Sequence, residues 1–168
     1  AVAAMRAGQI DAMSNLDPVM TILQRAGDIK IVSDTRDVAE SERVFGGPMP
    51  AACLYAPVGF LEKNPNVAQA LTNAIVRANK WIQQAGPSDI IKVVPESYLL
   101  GDRAIYIDAF LKAKGALSPD GMIPEAGSAT ALRALASVDE AMAKAKLDLK
   151  ANYTNDFVKK ANAKYPKG

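Results

Sequence analysis

The chain has 168 residues, which is enough for one domain or two small lobes, and its 49% hydrophobic and 23% charged residues are typical of a soluble globular protein. Its 20 basic and 18 acidic residues give a net charge of +2, which gives no indication of a nucleic-acid-binding surface. With one cysteine, Cys53, and no histidine, the chain can form neither an internal disulfide nor a catalytic histidine pair. We therefore expect no enzyme activity, no cofactor and no metal site in these residues.

The first residues predict a helix that ends at Gly8, followed by a short strand over residues 9–13. Neither an initiator methionine nor a capping residue precedes this helix. We therefore expect that a segment preceding Ala1 has been removed.

Asp17 and Pro18 predict the start of the next helix, because the Asp17 carboxylate can cap it and Pro18 fixes the backbone of its first turn. Gly27 ends that helix. Residues 29–32 predict a second strand, so that strand, helix and strand follow one another as in a βαβ unit with parallel strands.

Residues 45–50 contain two glycines and two prolines, which exclude both a continuous helix and a regular strand. This segment is either a hinge or a simple loop. Residues 51–56 predict a third strand, in which Cys53 is expected to be a buried apolar residue.

The rest of the chain predicts helices. Asn64 and Pro65 start the longest of them, and its apolar residues recur every three or four positions. This apolar stripe consists of Val67, Ala70, Leu71, Ala74, Ile75, Ala78 and Ile82. Trp81 lies beside the stripe and is expected in the core. Further helices are predicted after Ser88, over residues 102–113, 127–136 and 138–146, and after Thr154.

Two polar loops follow the first two predicted strands, and both are candidate ligand sites. In open parallel sheets, ligands bind beyond the carboxyl ends of the strands. The first loop contains Asn15 and Asp17, and the second contains Asp34, Thr35 and Arg36. Two structural roles compete with ligand binding: Asn15 and Asp17 can serve turn formation and helix capping, and Asp34 and Arg36 can pair with each other.

Seven segments form a series along the chain: MRAGQIDA (5–12), KIVSDTR (30–36), VFGGPMPAA (44–52), ALTNAIVRA (70–78), YLLGDR (98–103), SPDG (118–121) and YTNDFV (153–158). In order and spacing they resemble periplasmic substrate-binding proteins of ABC importers. The resemblance is to the nitrate/sulfonate/taurine group, which also includes thiamine-precursor binders. It covers nearly the whole chain, although no single segment is diagnostic alone.

The resemblance implies an α/β fold of the periplasmic-binding-protein type II class, in which two lobes enclose the ligand and strands cross between them as a hinge. It implies that residues 1–46 are the remainder of the second lobe. Residues 47–168 then form the crossover and a helix-rich return toward the first lobe, with Gly46, Gly47 and Pro48 as the hinge. Most of the sheet of the first lobe would be absent from this chain.

The resemblance also implies a function. A protein of this group captures a small anionic solute, such as a sulfonate, nitrate or taurine, and delivers it to an ABC permease in the membrane. It implies a periplasmic location and a monomer for the full-length protein. The implied ligand-binding residues are Asn15, Asp17, Asp34, Thr35 and Arg36, and the Arg36 guanidinium can hold a sulfonate or nitrate.

Two alternatives stay open. The first is a thiamine- or pyrimidine-precursor binding or biosynthetic protein on the same fold, which as an enzyme would need a catalytic histidine or cysteine from outside this chain. The second is a helical interaction module formed by residues 61–168.

Overall fold

A computed structural model describes residues 1–99 and 102–166. Residues 100 and 101, which belong to the segment YLLGDR, lie outside the described residues. The chain divides into two compact units. Unit 1 comprises Ala1–Asp37 and Ala85–Ala116, and unit 2 comprises Val38–Gln84 and Leu117–Gly168. Each unit is therefore built from two separate stretches of sequence.

The described residues form α-helices and two short 3-10 helices. The α-helices are α1 (Val2–Arg6), α2 (Val19–Ala26), α3 (Val38–Phe45), α4 (Val58–Lys63), α5 (Pro65–Gln84), α6 (Pro87–Val93), α7 (Arg103–Ala113), α8 (Gly127–Ala136), α9 (Glu140–Lys144) and α10 (Asp156–Lys164). The 3-10 helices span Glu96–Tyr98 and Lys114–Ala116. In neither described stretch is there a helix with the length and apolar character that crossing a membrane requires.

Unit 1 is organised around α7, which contacts both α2 and α6. The buried apolar residues Leu23, Ile90 and Ala109 come from α2, α6 and α7 respectively. Burial of a leucine or isoleucine side chain contributes about 1.5–3 kcal/mol. These contacts fix α2, and with it the candidate site at its N-terminal end.

Unit 2 is organised around α5, which packs against α10 and α4, while α8 packs against α9 and α3. Helices α5 and α10 run in the same direction. Near the start of both, Gln69 Nε2 donates to the carbonyl oxygen of Phe157 at 2.9 Å, and near their ends Lys80 donates to the carbonyl oxygen of Tyr165. Val76 of α5 and Ala161 of α10 are both fully buried.

Local signals place several helix ends where the sequence predicts them. Gly27 ends α2 in the left-handed conformation with φ 76°, which favours glycine. Pro65 begins α5, and Gly127 begins α8. Asp102 caps α7, because its carboxylate accepts a hydrogen bond from the Ile105 N–H at 3.0 Å.

The three predicted strands are wrong. Residues 9–13, 29–32 and 51–56 have irregular backbone, and residues 1–99 and 102–166 contain no strand. A strand needs a neighbour that shares its ladder of hydrogen bonds, and the described part of the chain supplies none. Cys53, expected to be buried in the third strand, is exposed for the same reason. The type II α/β fold therefore stays a prediction.

The prediction that Trp81 lies in the core is also wrong, and the apolar stripe beside it is largely exposed. Val67, Leu71 and Ile75 are each about half exposed, and Trp81 is 37% exposed. The buried residues of α5 are Ala68, Thr72 and Val76, on a neighbouring face. Thr72 can be buried because its hydroxyl donates to the carbonyl oxygen of Ala68 at 2.8 Å. Helical periodicity identifies an apolar face, but the helices that pack against α5 decide which face is covered.

This reversal predicts opposite outcomes for two neighbouring positions of α5. Val76→Ala should lower the free energy of unfolding by about 2 kcal/mol, because Val76 is fully buried and its loss leaves a cavity. Ile75→Ala should lower it by less than about 0.5 kcal/mol, because the Ile75 side chain is 49% exposed. Urea unfolding followed by circular dichroism measures both values. If Ile75→Ala lost more stability than Val76→Ala, the apolar stripe that contains Ile75 would be the buried face of α5.

Candidate functional site

The candidate site begins at the N-terminal end of α2. Asp17 Oδ1 accepts hydrogen bonds from the Thr21 backbone N–H at 3.0 Å and from the Thr21 hydroxyl at 2.7 Å. Asp17 thus serves the start of the helix, although α2 begins at Val19, one residue later than predicted. Thr21 is fully buried, so these two bonds fix the direction of the Asp17 carboxylate.

The second part of the site is a turn at residues 34–37. The Asp37 N–H donates to the carbonyl oxygen of Asp34 at 3.1 Å, which closes the turn. Asp34 Oδ1 accepts from the Arg36 N–H at 3.1 Å, as aspartate commonly does at the start of a turn. The backbone of the turn therefore holds the Arg36 side chain near Asp34.

Arg36 joins the two parts of the site. Its Nε donates to Asp34 Oδ1 at 2.7 Å and its Nη2 donates to Asp34 Oδ2 at 2.6 Å. On its other side, Nη1 donates to Asp17 Oδ2 at 2.8 Å. We call Asp17, Thr21, Asp34 and Arg36 the Arg36 cluster. Its members lie within unit 1.

The charges of the cluster stabilise one another. The hydrogen bond from Arg36 lowers the pKa of Asp34, while partial burial acts in the opposite direction. The hydrogen bond to Asp34 raises the pKa of Arg36, with a further contribution from Asp17. Lys112 of α7 adds positive charge near Asp34 and itself pairs with Asp108 at 3.2 Å. Asp34 and Arg36 are therefore both in their charged forms at neutral pH.

The structure brings three of the five predicted ligand residues together and leaves two outside the cluster. Asn15 is exposed, and its Oδ1 accepts from the adjacent Leu16 N–H at 2.8 Å. Thr35 is exposed within the turn between Asp34 and Arg36. The pairing of Asp34 with Arg36 is thus observed. Asp17 bonds to the first turn of α2, although the N-cap residue of that helix is Pro18, and Asn15 lies outside a turn. Ligand binding by these residues stays a prediction.

The predicted hinge residues lie after α3, in unit 2. The carbonyl oxygen of Gly46 accepts from Arg133 Nη2 of α8 at 3.0 Å. Gly47 has φ 152°, and a Cβ atom there would lie 2.8 Å from Thr130 Oγ1. Pro48 follows in irregular backbone. The segment therefore lies against α8, and its role as a hinge stays a prediction.

Sequence reasoning missed two residues of the site's surroundings. Thr21 is four residues after Asp17, a spacing from which a helix-capping partner could have been identified. Lys112 has no such signal, because it is 76 or more positions from Asp17, Asp34 and Arg36 and lies near Asp34 only through the packing of α7 on α2.

The cluster contains three ion-pairing groups and the buried Thr21 hydroxyl, and the pKa of its Asp34 carboxyl is lowered by Arg36. Among the described residues, no group of three or more histidine, cysteine or acidic side chains is arranged to hold a metal ion. A shallow open depression occurs in unit 2, lined by Ala74, Arg77, Ala78 and Trp81 of α5, and it includes none of the predicted ligand residues. The charged groups of the Arg36 cluster pair with one another, and binding of a ligand there stays a prediction.

Comparisons with known proteins place these residues in a family. No curated protein matches the chain. A solved structure of a protein from Bordetella bronchiseptica RB50 is 56% identical with a TM-score of 0.90, and the match covers 99% of this chain and 52% of the other. The chain thus spans about half the length of that relative. The model of the NMT1-like family matches residues 1–94, more than half of the 168 residues. The chain therefore belongs to the NMT1-like family, the substrate-binding group that its motifs resemble.

Proposed function

We propose that this protein binds a small anionic solute, such as a sulfonate, nitrate or taurine, and delivers it to an ABC importer permease without covalent chemistry. The observation that carries the proposal is the family match over residues 1–94, which includes every member of the Arg36 cluster. Proteins of this family are typically extracytoplasmic binding proteins, which supports a periplasmic location.

Arg36 supports the anionic character of the ligand. A guanidinium presents paired N–H donors that fit the oxygen pairs of sulfonate, nitrate and carboxylate groups. The two bonds from Arg36 to Asp34 have this paired geometry, at 2.7 and 2.6 Å. The side chain is 17% exposed, so a ligand at its edge would be partly withdrawn from water, which strengthens the charge interaction.

Isothermal titration calorimetry with methanesulfonate, nitrate and taurine tests the proposal. We expect Arg36→Gln to weaken the affinity for the best of these ligands about 30-fold, because charge-assisted hydrogen bonds are lost. Arg6→Gln is the matched control, since Arg6 also pairs with one aspartate of unit 1, Asp28, at 2.7 Å but lies outside the cluster. Equal affinities for the two variants, or no binding of any of the three compounds to the unaltered protein, would contradict the proposal.

A further inference from the structure

The edge of Arg36 that suits an anionic ligand is already occupied by a carboxylate of the same chain. Both oxygens of Asp34 are engaged, Oδ1 by Nε at 2.7 Å and Oδ2 by Nη2 at 2.6 Å. This is the paired arrangement in which arginine holds carboxylates and other anions with two oxygens. A sulfonate or nitrate cannot take the same edge while Asp34 remains there.

The two carboxylates of the cluster differ in how firmly they are held. The Asp17 side chain is 13% exposed and is fixed by both bonds from the buried Thr21 in addition to Arg36. The Asp34 side chain is 39% exposed and belongs to the turn that also contains Arg36. Rotation of Asp34 into water therefore costs less than release of Asp17, because a water-exposed ion pair contributes little net stability.

The charge of the cluster also opposes direct addition of an anion. Arg36 faces two carboxylates, so these three groups sum to one negative charge. Lys112 adds a positive charge near Asp34, but Asp108 pairs with it at 3.2 Å. When Asp34 turns away, Arg36 and Asp17 remain, and the vacated edge of the guanidinium faces the ligand with its orientation still set by Asp17.

We propose that Asp34 is an internal competitor for the ligand, occupying the anion-binding edge of Arg36 in the empty site and leaving it when an anionic solute binds. This inference rests on the proposed function. It assigns Asp34 a role opposite to that of a direct ligand contact, since the carboxylate lowers affinity and favours ligands that displace it efficiently.

Asp34→Asn tests the competitor role. The substitution keeps the side-chain oxygen that accepts from the Arg36 N–H, so the turn is retained, but it removes the charge that competes for the guanidinium. We expect the affinity for methanesulfonate, measured by calorimetry, to rise about fivefold, because the ligand no longer displaces an ion pair of surface strength. Asp11→Asn is the matched control: Asp11 is an exposed aspartate of unit 1, and its loss changes the net charge equally.

The outcomes separate the competitor role from the proposed function. If Arg36→Gln weakens binding while Asp34→Asn leaves it unchanged or weakens it, Arg36 binds the ligand and the competitor role is wrong. An equal rise for Asp11→Asn would also overturn it, since general charge would then account for the effect. If Arg36→Gln has no effect on binding, the proposed function fails together with this inference.

Discussion

Replacing Asp17 with alanine is expected to lower the free energy of unfolding by about 3 kcal/mol, because one side chain supports both parts of the Arg36 cluster. Asp17 accepts hydrogen bonds from the Thr21 N–H at 3.0 Å, from the Thr21 hydroxyl at 2.7 Å and from Arg36 Nη1 at 2.8 Å. The substitution leaves a fully buried threonine and a largely buried arginine with fewer partners. Breaking a buried ion pair from one side destabilises more than the pair itself contributes.

Urea unfolding followed by circular dichroism measures this loss, and Asp11→Ala is its control. Asp11 is an exposed aspartate in the same unit, so its replacement should change the free energy of unfolding by no more than about 0.5 kcal/mol. A loss below about 1 kcal/mol for Asp17→Ala would show that the cluster does not hold the turn at residues 34–37 against α2. In that case Arg36 would depend on Asp34 alone for its position.

The helix ends could be predicted because their signals are local. A left-handed glycine at Gly27 and the proline that opens α5 act within one turn of the helix that they bound. Helix α3 has comparable local signals, since Glu40 lies in its first turn and accepts from Arg43 Nε at 2.9 Å. Interactions of this kind involve residues within one helical turn of each other, so they can be identified from the local sequence alone.

Strand formation and helix burial could not be predicted in the same way, because both depend on a partner elsewhere. Residues 29–32 are apolar enough for a strand, but a strand forms only beside another strand. The apolar residues of α5 have a clear helical period, yet the buried residues of this helix are Ala68, Thr72 and Val76. The sequence of a segment shows which of its residues are apolar, but it does not show which other segment will cover them.

The candidate site shows the same division. The pairing of Asp34 with Arg36 spans two residues and was one of the two explanations for that loop. The bond between Arg36 and Asp17 spans 19 residues and requires the turn to return beside the start of α2. This second bond joins the two polar loops in one cluster. The spacing of the residues in the sequence does not predict it.

Gly47→Ala is expected to lower the free energy of unfolding by about 2–3 kcal/mol, for two reasons that act together. Gly47 has φ 152°, a conformation that residues with a side chain rarely adopt, and the added Cβ would lie 2.8 Å from Thr130 Oγ1. Thr130 is fully buried and its hydroxyl bonds to the carbonyl oxygen of Ala126 at 3.1 Å, so it cannot move aside freely. Urea unfolding followed by circular dichroism measures the loss.

Gly59→Ala is the matched control for this glycine, because it restricts the unfolded chain equally. Gly59 lies in α4 with no atom within 4 Å of an added Cβ, so its replacement should stabilise the protein by about 0.5 kcal/mol.

Combining Gly47→Ala with Thr130→Ala should lower the free energy of unfolding by less than the sum of the two single losses, since the second change removes the atom that the first one meets. Equal stabilities for Gly47→Ala and Gly59→Ala would mean that the segment after α3 is not held against α8. A measured loss for Gly47→Ala would show that a hinge at Gly46, Gly47 and Pro48 is packed against Thr130 of α8.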